Sequence, residues 1–160
     1  MSQIDHIFLA RTAGGVLEAA TQVEVVAGFG IVGDRYFGAR DEPGQNLSLI
    51  EAEEIEAFNA RHGRSEPMAC TRRNIVTRGV RLAELIGREF LIGGLRLRGV
   101  EFCEPCLGLG ESLASAGLDA PAVVRHFVHR AGIRADVLDS GRLRVGQEIR
   151  LGQRLQRVGG

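Results

Sequence analysis

The run Gln22-Val23-Glu24-Val25-Val26-Ala27-Gly28-Phe29-Gly30-Ile31-Val32-Gly33-Asp34-Arg35-Tyr36-Phe37-Gly38 separates two architectures. Its first six residues are dense in β-branched side chains and read as a strand. Gly28, Gly30 and Gly33 then match G-x-G-x-x-G directly after that strand, the fingerprint of a dinucleotide-binding βαβ unit. Such a unit needs a helix to open at the glycines. Instead Asp34-Arg35-Tyr36-Phe37-Gly38 follows, then Asp41-Glu42-Pro43-Gly44, and both are turn and loop chemistry. A doubly wound α/β fold is therefore not expected.

On the N-terminal side, Ile4 to Ala10 reads as a strand before the Gly14-Gly15 turn. Ser48 and Glu51 form an S-x-x-E capping box, and Ala52, Ile55 and Phe58 make a narrow apolar stripe. With Arg61 and His62 in the last turn and Gly63 as the stop, this predicts a helix from Ser48 to His62. Asn74 to Thr77 reads as a strand, and Leu82, Leu85 and Ile86 as a short helix ended by Gly87. Arg88 to Ile92 and Leu95 to Phe102 read as a hairpin turning at Gly93-Gly94. The stretch after Cys106, with Gly108 and Gly110, reads as glycine-rich loop. Asp119 and Pro121 open a helix to about Arg130, with Val124, Phe127 and Val128 inward. Ile133 to Leu138, Leu143 to Val145 and Glu148 to Leu151 finish as strands. Helices do not alternate regularly with strands, so the expected class is mainly β: a closed or nearly closed β-barrel with a few peripheral helices.

The 160 residues fit one domain over 1–160, with 44% hydrophobic and 25% charged residues. Twenty basic and twenty acidic residues cancel, so no global field draws nucleic acid or an anionic membrane. No apolar run reaches the roughly 18 residues of a membrane span, and Met1 to His6 lacks the basic start of a signal peptide. Three cysteines do not form a secreted disulfide framework, and a reducing, cytoplasmic setting is expected. All 20 basic residues are arginines. Without lysine the chain cannot form a Schiff base with pyridoxal phosphate or carry a P-loop lysine. Anion binding falls to arginine forks, backbone N–H groups or a metal.

Cys103-Glu104-Pro105-Cys106 is the chemical centre of the sequence. A redox C-x-x-C needs its first cysteine at a helix N-terminus, whereas here a strand leads in and glycines follow. A zinc site could draw on His126 and His129, although H-x2-H is shorter than the usual spacing. A thiolate could bind a soft metal centre or carry sulfur. Two partly buried, inert thiols are the remaining reading. Cys70 reads as a small buried residue. Arg72-Arg73-Asn74 and Asp34-Arg35 read either as solvated charge or as part of an anion pocket.

Taken together, Gly30 to Arg35, Leu47 to Glu54, Arg72 to Gly79, Leu85 to Arg88, Cys103 to Cys106 and Arg142 to Glu148 resemble the MOSC domain, the module named after the C-terminal part of molybdenum cofactor sulfurases. The resemblance spans about Ile4 to Ile149. It implies a barrel-like β fold and a pocket for the molybdenum cofactor (molybdopterin), or for the sulfur destined for it. The family's key cysteine matches Cys106, implied as the catalytic and metal-ligating residue. Its R-x-N matches Arg72 and Asn74. Arg73, Asp34, Arg35 and Cys103 join them as expected cofactor-binding residues. Tyr36 stands where many relatives have histidine, and Gln147 where many have aspartate. Standalone bacterial relatives imply reduction of N-hydroxylated compounds with electrons from partner proteins. Two alternatives remain: a sulfur carrier served by a separate cysteine desulfurase, and a cofactor-binding module without turnover.

Overall fold

The structure is a computed structural model, and it describes residues 1–154. Eight strands form one curled sheet. In chain order these are β1 (Gln3–Leu9), β2 (Glu18–Ala20), β5 (Leu47–Glu51), β6 (Ile75–Arg78), β7 (Arg88–Ile92), β8 (Leu95–Phe102), β9 (Ile133–Val137) and β11 (Ile149–Arg154). Their spatial order is β11-β7-β8-β9-β5-β6-β1-β2. A smaller sheet joins β10 (Gly141–Arg144), β3 (Gln22–Val26) and β4 (Gly30–Ile31). The large sheet curls into a half-barrel, far enough that Gln3 of β1 bridges Glu148 beside β11. The Ile4 and Ile149 N–H groups donate across that seam, to Gln147 at 3.0 Å and Ser2 at 2.8 Å. The mainly β, barrel-like expectation therefore holds, with helices α1 (Ala52–His62), α2 (Leu107–Leu113) and α3 (Ala120–Phe127) outside.

The G-x-G-x-x-G run opens no helix. Gly30 is in β4 at φ 105°, and a Cβ there would collide with the Asn46 carbonyl. The glycine thus permits a close backbone crossing, not a phosphate cradle.

Ser48 is not a helix cap. It lies in β5, and the helix begins three residues later than the capping box predicts, with Glu51 in the N-cap position and Ala52 first in the helix. Leu47 and Leu49 enter the barrel core while Ile50 packs under α1, so β5 is buried on both faces. That double burial, with parallel pairing to β6 across the α1 crossover, outweighs the local cap signal.

A second difference lies after Cys106, where α2 replaces the expected loop. Gly110 does not break this helix. A Cβ at this position would sit 2.8 Å from the Ala120 carbonyl oxygen, so the glycine lets α2 approach α3. The α3 prediction starts correctly: Asp119 caps the helix, accepting from the Ala122 N–H at 2.9 Å. It ends earlier than expected, at Phe127. Val123 and Phe127 are buried, whereas Val128 is exposed. The Gly93-Gly94 hairpin forms as read.

Two cores result. Ile4, Ile7, Leu49, Ile75, Phe90, Leu97 and Ile133 fill the barrel. Phe58, Cys103, Leu109, Leu113, Val123 and Phe127 join the three helices to the end of β8. No helix among the described residues is long and apolar enough to cross a membrane.

Candidate functional site

β8 carries the chain out of the sheet at Phe102, and Cys103 turns into the helical core. Its N–H donates to the Gly132 carbonyl at 2.8 Å. Beside it opens a cavity of about 310 Å³, lined among others by Arg35, Tyr36, Ser48, Arg73, Cys103 and Arg134. The loop from Ala39 to Leu47 supplies another wall, with Asp41 and Gln45.

The Gly-Asp-Arg turn is fixed by Asp34, whose carboxylate is fully buried. It accepts from the Ala10 N–H at 3.0 Å, the Tyr36 N–H at 3.2 Å and Arg35 Nη1 at 3.1 Å. Asp34 therefore shapes the loop and does not face the cavity. Arg35 bridges two loops, since its Nη2 donates to the Arg72 carbonyl at 2.9 Å. Its guanidinium also stacks over the Tyr36 ring, 4.6 Å from the centroid.

Arg72, Arg73 and Asn74 divide their tasks. Arg72 has φ 61° and donates to the Gly15 carbonyl at 2.7 Å, so it staples loops away from the cavity. Arg73 lines the cavity. Only its Nε is engaged among the described residues, donating to the Ala131 carbonyl at 2.9 Å, which leaves its terminal fork for a ligand. Asn74 is wholly buried. Its Oδ1 accepts from the Ser48 N–H at 3.1 Å and hydroxyl at 3.3 Å, and its Nδ2 donates to the Phe8 carbonyl at 3.1 Å. It reaches the cavity only through Ser48, whose position it sets.

The two thiols of the C-x-x-C have different surroundings. Cys103 is buried in the cavity wall, and burial pushes its pKa up, with Arg73 and Arg134 opposing that rise. Cys106 is exposed, is not among the residues lining the cavity, and precedes the first turn of α2. A helix does begin at this motif, then, but at the second cysteine, not the first. Three residues of chain reach about 10 Å at most, so Cys106 stays near the cavity wall.

The zinc arrangement does not form. Among the described residues no three His, Cys, Asp or Glu side chains gather for a metal. His126 packs against Phe58, with centroids 5.2 Å apart, while His129, at φ 59°, packs on Phe102.

Ser48, Arg134 and Gln45 are cavity residues that the sequence did not single out. Ser48 was hidden by its false cap pattern. Arg134 alternates outward between buried Ile133 and Ala135 in β9, a pattern that also describes any solvated strand residue.

The sequence model of the MOSC domain family matches residues 35–150. No curated protein matches the chain. Among solved structures, the YuaD protein from Bacillus subtilis superposes with a TM-score of 0.80 at 23% identity, covering 94% of this chain and 96% of that one. YiiM from Geobacillus stearothermophilus gives 0.71 at 16% identity, covering 96% and 76%. YiiM from Escherichia coli gives 0.69 at 14% identity, covering 98% and 72%. These likenesses establish a shared fold.

Proposed function

The chain belongs to the MOSC domain family, and from that premise we propose that its arginine-lined cavity binds the molybdenum cofactor for reduction of N-hydroxylated compounds. The observation that carries this reading is the donor set of the cavity. Three guanidinium groups, from Arg35, Arg73 and Arg134, share it with the Ser48 hydroxyl, the Gln45 amide, the Asp41 carboxylate and the Cys103 thiol. A phosphorylated, hydrogen-bonding ring system with a thiophilic metal matches that set. The volume of about 310 Å³ is at the small end of ligand pockets.

Arg73 would fork the phosphate with its two free terminal nitrogens. Arg134, ion-paired to Glu101 at 3.5 Å on the rim, would add charge. Ser48 and Gln45 would meet ring donors and acceptors, and Asp41 would accept from ring N–H groups. Cys106, exposed and outside the cavity lining, is the proposed metal-ligating thiol and would approach the metal from the cavity's edge, whereas Cys103 is part of the wall. When bound, the cofactor would supply a two-electron redox centre. Protein electron donors would serve it, in a cytoplasmic setting supported by three free cysteines.

The exposure of Cys106 favours a second reading, a sulfur carrier. Its thiolate would attack the terminal sulfur of a desulfurase persulfide. The donor S–S bond breaks, the donor thiolate leaves, and Cys106 keeps the sulfur as its own persulfide. Molybdenum and pterin analysis of protein purified from its native host separates the two. Stoichiometric metal with pterin supports the reductase. Metal-free protein that gains 32 Da (about one sulfur) on Cys106 when incubated with a desulfurase and cysteine supports the carrier. Protein showing neither contradicts both.

A further inference from the structure

We propose that the cleft between the C-terminal ends of α1 and α3 is a second anion site, which takes a phosphorylated small molecule. The proposal is independent of the cofactor reading. The cleft has a volume of about 410 Å³ and is lined by Arg61 and His62 of α1 and by Arg125, His126 and Arg130 of α3 and the turn beyond it. In a chain of zero net charge, this is a local concentration of cations. Among the described residues, the carboxylate paired with one of these cations is Glu54 of α1, with Oε2 4.0 Å from Arg130 Nε. Arg64, which follows α1, approaches the shared Phe58 ring but is ion-paired to Glu66. Among the described residues, neither Arg61 nor Arg125 has a carboxylate partner.

Cations at helix C-termini are favoured by the dipole, and that accounts for each helix taken singly. It does not account for the two imidazoles. The His62 and His126 rings meet edge-on, centroids 5.5 Å apart, both against Phe58. Their Nε2 atoms are buried, and neither has a hydrogen-bond partner among the described residues. A buried polar atom without a partner is costly. Rotation of each ring would turn Nε2 out into the cleft, where an oxyanion would accept from both. Phosphate suits the cleft better than a carboxylate, because its three terminal oxygens and near double charge can engage several guanidinium forks and imidazoles at once. The remaining volume leaves room for an organic portion.

Burial, with His62, Arg130 and Arg61 nearby, holds His126 below its ordinary pKa. A bound anion opposes that lowering, so binding tightens as pH falls from the His126 pKa of the anion-bound protein toward the lowered one of the free protein.

The test is a titration of the whole protein with inorganic pyrophosphate at constant ionic strength, followed by NMR of the histidine ring signals. The expected result is saturable shifts for His62 and His126 but not His6 or His129, with the His126 midpoint moving to higher pH. Arg125→Gln, at an exposed position, should weaken binding about tenfold while circular dichroism stays native. Arg61→Gln serves the same purpose should Arg125→Gln fail to fold. Absence of saturable shifts, or unchanged affinity in the folded arginine variants, overturns the site. Equal affinity for malonate overturns the phosphate assignment.

Discussion

The Asn74 amide ties three strands together, linking Ser48 in β5 and Phe8 in β1 to its own place beside β6. Asn74→Ala would strand the Ser48 N–H and the Phe8 carbonyl in the interior. We expect a loss of about 2–4 kcal/mol in urea unfolding, and a cofactor defect that follows the displaced Ser48. The cysteines differ on the same scale. Cys106 is exposed, Cys103 is buried, and burial beside Glu66 pushes the Cys70 thiol up to about 11. In native protein a thiol reagent at neutral pH should label Cys106 fully before Cys70 or Cys103, and denaturation should expose all three. An equal rate for Cys103 would contradict its place in the wall. The Cys70 shift also has a sign. The folded form holds its proton more tightly than the unfolded chain, so its stabilisation is complete below the ordinary value of 9.0 and is lost as pH rises toward about 11. Cys70→Ala should flatten that part of the stability profile.

At the scale of elements, the sequence was legible where local chemistry and burial agreed. Asp119 before Pro121 announced α3, and Gly93-Gly94 announced the β7–β8 hairpin. It misled where they diverged. Ser48-x-x-Glu51 has the letters of a capping box, but its apolar neighbours Leu47, Leu49 and Ile50 are needed on both faces of a central strand. Gly108 and Gly110 have the letters of a loop, yet Gly110 lets two helices touch. Both errors arise because tertiary contacts are invisible in a short window. Gly110→Val tests this account of the α2–α3 contact. The added side chain meets the Ala120 carbonyl and Val124, and overpacking should cost about 1–3 kcal/mol as a lowered Tm. A neutral result would mean the two helices are not in close contact.

Across the whole molecule, the half-barrel brings together residues that are far apart in sequence: Arg35, Ser48, Arg73, Cys103 and Arg134 converge on one cavity. The order of the motifs pointed to the family, and its R-x-N to Arg72 and Asn74 with Arg73 between them, but could not separate the roles of the three. Arg72, Asn74 and Asp34 direct their side chains into the fold itself, and hydrogen bonds between distant loops determine that. On the proposed function, the cavity around Arg73 holds the molybdenum cofactor. The most direct test is the molybdenum and pterin content of wild-type and Arg73→Gln protein, both confirmed folded and purified side by side from a host that makes the cofactor. Near-stoichiometric cofactor is expected in the wild type, and a loss of about tenfold or more in the variant. Equal cofactor content in the two proteins, or none in the wild type, would contradict it.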